Sequence, residues 1–397
     1  MIITFKFNKK IKNVIHFAIL LAFILKLDFH IIFPIMLPVL HWPSTSKGYQ
    51  LEYPIGYGTF GVVYSAVILT GAHINERVAI KVVNLDQFPD DSLDEIKREI
   101  KIPRLCSHPN VISYHTSFIS GKQLWMVMPL LDAGSVANLL HHKFPSGIKD
   151  EVALASALKE VLEALAYFHA NNQIHRDVKG ANILLSRDGK VMLADYGVVA
   201  KLRGGMLAKT FTGSPCWMAP EVIESEFRGG YDFKVDIWSF GITAIELAKG
   251  LPPYAKHPAM KVMLLVLNND PPFLGRDEPF SNSFKEMVNS CLQKDPELRP
   301  TAEQLLRTKF FHKAKGKNYI RDHLLENFPS LQAQFSYQKL HPKIEESFST
   351  FFQSSDAWDF NVSGEANNSS QNDDPFSAID TDEYEGDPLD TIKKDDT

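Results

Sequence analysis

The apolar residues of this chain change their period once, near Asp132, and that switch limits its fold more than any other feature. Before it, apolar and β-branched residues fall in short runs at 49–55, 61–68, 78–84 and 124–128, which read as strands. A charged helical stretch, 92–102, lies between the third and fourth runs. After Asp132, apolar residues recur at spacings of three and four over 151–169, 232–248, 259–267, 283–292 and 301–306. The order predicts an α+β chain: a small antiparallel β-sheet with one main helix packed on it, then a larger, mostly α-helical part.

Composition excludes several classes. Of 397 residues, 45% are hydrophobic and 22% charged, and the formal net charge is −5, so no basic footprint for nucleic acid is present. Cys106, Cys216 and Cys291 are too widely spaced for zinc and odd in number, which argues against a disulfide framework and for a reducing cytoplasm. Residues 1–48 fit this picture poorly. The apolar run 14–25 follows Lys6, Lys9, Lys10 and Lys12 in the manner of a signal peptide, but it is too short to span a bilayer. Extension to Leu40 brings in Lys26, Asp28, Pro34 and Pro38. The segment reads as a wrongly assigned start exon, a targeting segment or an interfacial anchor, and only in the last two cases would residues 1–40 contact a membrane. At the other end, 313–397 reads as a tail, largely disordered and acidic at its end.

The chemistry sits in four short motifs. Gly56-Tyr57-Gly58-Thr59-Phe60-Gly61-Val62-Val63 lies between two strands, where positions without side chains let backbone amides approach phosphate oxygens; alone, it reads equally as a hairpin turn. Lys81, in Val78-Ala79-Ile80-Lys81, is placed on a strand to neutralise α- and β-phosphate charge, with Glu99 on the following helix as its ion-pair partner. His175-Arg176-Asp177-Val178-Lys179-Gly180-Ala181-Asn182 is the most informative. It puts a carboxylate and an amide five apart on one tight loop. Asp177 would accept a proton from a substrate hydroxyl, and Lys179 would meet the transferring phosphate. Asn182, with Asp195 of Asp195-Tyr196-Gly197, would ligate Mg²⁺, which prefers oxygen. A plain polar turn would need none of these residue types at these spacings. Lys179 two residues after the base favours Ser/Thr over Tyr substrates.

With Ala219-Pro220-Glu221 and Asp236-Ile237-Trp238-Ser239-Phe240-Gly241, the set in this order resembles the protein kinases over about 49–312. Further runs are similar to the germinal-centre-kinase group of sterile-twenty-like kinases, with the Fray and oxidative-stress-responsive branch nearest. They are Gly213-Ser214-Pro215-Cys216-Trp217-Met218, Tyr231-Asp232-Phe233-Lys234 and Cys291-Leu292-Gln293-Lys294-Asp295-Pro296. The resemblance implies a bilobal fold, 49–128 forming the small lobe and 129–312 the large, with transfer of the ATP γ-phosphoryl group to protein hydroxyls. It implies Met128 as gatekeeper, Pro129 to Leu131 as the adenine hinge, Ile55, Val63 and Ala79 among the nucleotide-binding residues, and Glu221 paired with Arg299.

Regulation follows from Arg176, an unpaired guanidinium beside the base that awaits a phosphate on the loop between Asp195 and Ala219. Thr210 is the candidate to carry it, added by an upstream activating kinase, with Thr212 as competitor. Ser214 would bond Asp177 and Lys179. Three departures from the family pattern stand out. Tyr196 replaces phenylalanine, Pro103 would end the helix four residues after Glu99, and the tail holds no recognisable docking domain. Trp358-Asp359-Phe360 resembles motifs that bind a helical-repeat scaffold, or is an incidental cluster. A pseudokinase serving as allosteric scaffold is the alternative function; intact Lys81, Asp177, Asn182 and Asp195 favour the enzyme.

Overall fold

The computed structural model describes residues 41–58, 61–87, 107–195, 200–201 and 207–340. Five strands build the small lobe: β1 (Tyr49–Gly58), β2 (Gly61–Ile68), β3 (Arg77–Asn84), β4 (Thr116–Ser120) and β5 (Gln123–Pro129). They form one antiparallel sheet in the order β1-β2-β3-β5-β4. β3 is central, so both its faces are apolar. Val78 and Ile80 join Tyr49, Ile68, Trp125 and Val127 in an outer layer, while Ala79 and Val83 join the main core. The period of two then sets Lys81 on the inner face with them, opposite Val63 and Met126. Trp42 closes the outer layer, stacked between His73 at 4.0 Å and His115 at 3.8 Å. The polar strand β4 gave no periodic signal, and the helix expected at 92–102, with Glu99 and Pro103, lies outside the described residues.

The large lobe is helical: α1 (Val136–Lys143), α2 (Glu151–Ala170), α3 (Pro220–Ile223), α4 (Lys234–Lys249), α5 (Ala259–Asn268), α6 (Asn282–Cys291) and α7 (Ala302–Leu306). Asp150 starts α2 by accepting the Val152 and Ala153 amides at 2.9 and 3.1 Å, which satisfies donors the helix itself leaves open. α4 is buried along almost its whole length, with Ile237, Trp238 and Phe240 inaccessible. It ends at Gly250, φ 91°, where a Cβ would lie 2.2 Å from the Pro145 carbonyl oxygen, so only glycine fits. Short strands β6 (Gly134–Ser135), β8 (Ile183–Leu185) and β9 (Val191–Leu193) pair with one another, and β7 (Gln173–Ile174) pairs with β10 (Ala200–Lys201). The loop 175–182 thus hangs between β7 and β8, directly over α4. The α+β, bilobal architecture is the one the period switch predicts.

The expectation of a largely disordered tail from residue 313 does not hold for 313–340. Helices α8 (Lys317–Leu324) and α9 (Leu331–Leu340) form there, burying Ile320, Leu324, Leu325, Phe328 and Leu331 at spacings the polar average of the tail concealed. Arg187 donates to the Phe328 carbonyl at 2.6 Å and to that of Pro329, and the buried Gln334 amide donates to the Ala133 carbonyl at 3.3 Å. Residues 1–40 and 341–397, including Trp358-Asp359-Phe360, lie outside the described residues. Among those described, no helix is long and apolar enough to cross a membrane.

Candidate active site

One face of α4 holds the loop 175–182 in place. Asp236, Ser239, Thr243 and Glu246 recur at helical spacing and are all buried. Asp236 accepts the His175 and Arg176 amides at 2.9 and 2.8 Å and bonds His169 at 2.9 Å. Burial raises the Asp236 carboxyl, but the hydrogen bonds and charge interactions of His169 and His175 together outweigh it and hold the group below the usual carboxylate range. Thr243 donates to the Val178 carbonyl at 3.1 Å, Ser239 to the Trp217 carbonyl at 2.7 Å, and Glu246 accepts the Gly180 amide at 2.9 Å. These bonds hold Arg176 at φ 68°, a backbone conformation that non-glycine residues seldom adopt.

The loop gathers three of the expected residues around one carboxylate. Asp177 Oδ1 accepts the Ser214 hydroxyl at 2.8 Å; Oδ2 lies 2.9 Å from Lys179 Nζ and accepts the Asn182 amide at 2.7 Å. Lys179 also donates to the Ser214 hydroxyl. The Asn182 side-chain nitrogen also donates to the Asp177 backbone carbonyl at 2.8 Å. The Ala194 backbone amide donates to the Asn182 backbone carbonyl at 2.9 Å and joins this loop to the segment holding Asp195. Asp195 itself sits at φ 71°, its carboxylate half-exposed and 3.9 Å from Lys81 Nζ.

Above it, the glycine run closes the β1–β2 hairpin, with Gly56 opposite Val63 and Gly58 opposite Gly61. A Cβ on Gly61 would lie 2.1 Å from the Val82 carbonyl oxygen, so glycine there permits the close approach of β2 to β3. Tyr57 is exposed; Thr59 and Phe60, at the tip, lie outside the described residues, as do Tyr196 and Gly197. Ile55 and Val63 pack on the main core with buried Ala79, Met128 and Leu131, and Pro129 ends β5 opposite Val78.

Residues 49–311 match the protein kinase domain family. This chain belongs to the protein kinases. The kinase is 46% identical over 316 residues to Germinal center kinase 3 of Caenorhabditis elegans, covering 74% of this chain and 52% of that protein. It is 45% identical to Serine/threonine-protein kinase fray2 and 43% to Serine/threonine-protein kinase fray1 of Dictyostelium discoideum. Those matches cover 75% and 74% of this chain but 29% and 51% of theirs, so the kinase spans about half, or less, of the curated relatives it matches. The expected likeness to the germinal-centre and Fray kinases is thereby met.

Two further expectations concern the large lobe of the kinase. Glu221 and Arg299 form the implied pair, with Arg299 Nη1 and Nη2 at 2.5 and 2.8 Å from the two carboxylate oxygens, both residues buried and the guanidinium stacked over Trp238. Arg176, expected unpaired, is not: its guanidinium donates to the Tyr231 hydroxyl at 3.3 Å, and that hydroxyl donates to the Thr210 carbonyl at 2.6 Å. Thr210 itself is exposed. Sequence reasoning could not see Tyr231 as a partner across 55 residues. It also passed over Thr243 and Glu246, although polar residues at helical spacing in an otherwise apolar helix were a usable signal.

Proposed function

We propose that this chain is an active Ser/Thr kinase that transfers the γ-phosphoryl group of ATP to hydroxyls of protein substrates. The observation that carries the reading is the convergence of Lys179, Asn182 and Ser214 on the Asp177 carboxylate. Asp177 acts as the base, holding the incoming hydroxyl in line and taking its proton as the bond to phosphorus forms. Lys179 supplies positive charge beside it, where the transferred group carries the most negative charge. Lys81 neutralises the α- and β-phosphates, with Glu99 proposed as the residue that steadies it. The glycine loop brings backbone amides over the same phosphates, and Met128, Pro129 and Leu131 bound the adenine pocket.

The oxygen donors on the two segments suit a magnesium ion. They are the Asp195 carboxylate, 3.9 Å from Lys81, with the Asn182 side-chain oxygen proposed as second ligand, and among the described residues no cluster of three or more His, Cys, Asp or Glu side chains competes for a metal. A site with one carboxylate and one amide leaves the remaining positions to phosphate oxygens and water, as Mg²⁺ prefers. When bound, the ion would neutralise the charge that builds on the β- and γ-phosphate oxygens.

We further propose that an upstream kinase modifies Thr210, and that the phosphate draws Arg176 from Tyr231. The buried thiols of Cys216 and Cys291 favour a reducing cytoplasmic setting. The full chain, incubated with ATP, Mg²⁺ and a degenerate Ser/Thr peptide library, should label peptides. Folded Asp195→Asn should be inactive, and Asp177→Asn should lose about a hundredfold or more in turnover with ATP binding kept. Near-normal labelling by folded Asp195→Asn would sink the assignment.

A further inference from the structure

Residues 41–48 precede the stretch that matches the kinase family, which begins at Tyr49, yet they complete the small lobe. β1 and β4 are opposite edges of the sheet, and the sheet curls until Tyr49 and Phe118 stack at 6.0 Å beside the outer apolar layer. Trp42 packs on that layer. Its indole lies flat between two imidazoles, His73 of the β2–β3 loop at 4.0 Å and 3° and His115, just before β4, at 3.8 Å and 8°. Hydrogen bonds fix the rest of the segment to three strands. The Tyr49 hydroxyl donates to the Pro43 carbonyl at 2.7 Å, the Leu69 amide after β2 donates to the Gly48 carbonyl at 2.8 Å, and the Ser120 hydroxyl on β4 donates to that of Ser46 at 2.9 Å. A Cβ on Gly48 would fall 2.3 Å from that of Pro43, so the turn closes only with glycine.

The two imidazoles differ in what a proton would meet. His73 bonds Glu76 at 3.0 Å and keeps that partner when charged. The His115 amide donates to the Val127 carbonyl at 2.8 Å, so its backbone belongs to the sheet while its ring serves the indole. No described carboxylate offers that ring a hydrogen bond: Glu76 is on His73, and Glu52 is on Arg77 at 3.0 Å. The segment itself brings His41 and Lys47, which add no negative charge, and β5 brings Trp125 and Val127. A charge on His115 is therefore penalised by burial and then by His73 across the indole, which together push it down to about 4.

We propose that residues 41–48 form an acid-released latch: at neutral pH Trp42, held between His73 and His115, pins this segment to the outer layer of the small lobe, and protonation of His115 frees it. The latch is separate from the site described above, since Lys81 lies on the inner face of the same sheet. The latched state keeps His115 neutral, so its advantage is complete above the free value of 6.5, declines as pH falls toward about 4 and is constant below that.

Hydrogen exchange read by mass spectrometry tests this on the full chain, at about pH 7.5 and about pH 5 and corrected for intrinsic rates. Peptides covering 41–48 and 69–73 report the latch, and those of α4 report global unfolding. Protection of the first two should fall about thirtyfold between these pH values, the ratio expected for a group that moves from 6.5 to about 4 on latching, while α4 stays more protected than either. His115→Phe keeps a ring against the indole but takes no proton, so it should hold its protection at both pH values. Trp42→Ala should exchange fast at both. Equal wild-type protection at the two pH values overturns the inference, as does a loss in His115→Phe as large as that of the wild type. Exchange of the two segments in step with α4 also overturns it, because the whole chain would then open rather than the latch. Should Trp42→Ala fail to fold, the comparison of wild type with His115→Phe decides alone.

Discussion

The two sides of the cleft are built on opposite plans. On the large-lobe side the loop around Asp177 is fixed by side chains of α4, and its backbone amides at 175, 176 and 180 bond buried carboxylates. On the small-lobe side the glycine hairpin offers backbone rather than side chains, Tyr57 is exposed, and Lys81 meets Asp195 only at 3.9 Å, the outer limit of an ion pair. Asp177, the proposed base, is thus positioned before any substrate arrives, as proton transfer, which tolerates little misplacement, would require. Phosphates bring their own strong charge and can complete a looser cradle.

Four measurements would break or sharpen that contrast. Asp236→Ala strips two backbone amides and the buried His169 of their acceptor, so urea unfolding should show a loss of about 3–5 kcal/mol, with transfer abolished. A small effect would mean that the loop holds its shape without α4.

The next effect depends on pH. Burial raises the Glu246 carboxyl to about 7 from 4.5, so the folded chain keeps a proton that the unfolded chain releases. The stabilising contribution is fully present below the unfolded value, declines as pH rises toward the folded value and is flat above it. The decline is on the order of 3 kcal/mol, and Glu246→Gln should remove it. Denaturation of both proteins at about pH 5 and about pH 8 measures the difference, and parallel losses in the two would exclude Glu246 as the source.

Tyr231→Phe deletes the hydroxyl that links Arg176 to the Thr210 carbonyl. It should cost about 1 kcal/mol and should lower the turnover of the protein unmodified at Thr210 more than that of the phosphorylated form. Equal losses would mean that the phosphate does not replace the hydroxyl. Lys81→Met should change stability least, by less than about 1 kcal/mol, because the stem still packs on β3. Turnover should collapse all the same. A large stability loss would show that the small-lobe side is as tightly built as the large.

Much of this was legible beforehand. The strands at 61–68 and 78–84 and the helices at 151–169 and 259–267 were read nearly to their ends, because each buries one face and its period records that. Asp177, Lys179 and Asn182, expected together from their short spacing, do meet around one carboxylate, and Asp195 lies 3.9 Å from Lys81. β4 was missed for its polar composition, and α8 and α9 because a polar tail hid a few regularly spaced apolar residues.

The sequence by itself determined the fold class and the side chains proposed to react, since periodicity and motif chemistry are both local. Tertiary structure alone decided which partner each of those side chains keeps. The guanidinium of Arg176 rests on a tyrosine 55 residues away, and Glu246 reaches Gly180 across 66. The physical reason is that the strength of a charge or hydrogen bond depends on its burial and on the donors brought beside it, and those are supplied by packing onto α4 rather than by neighbours in the chain.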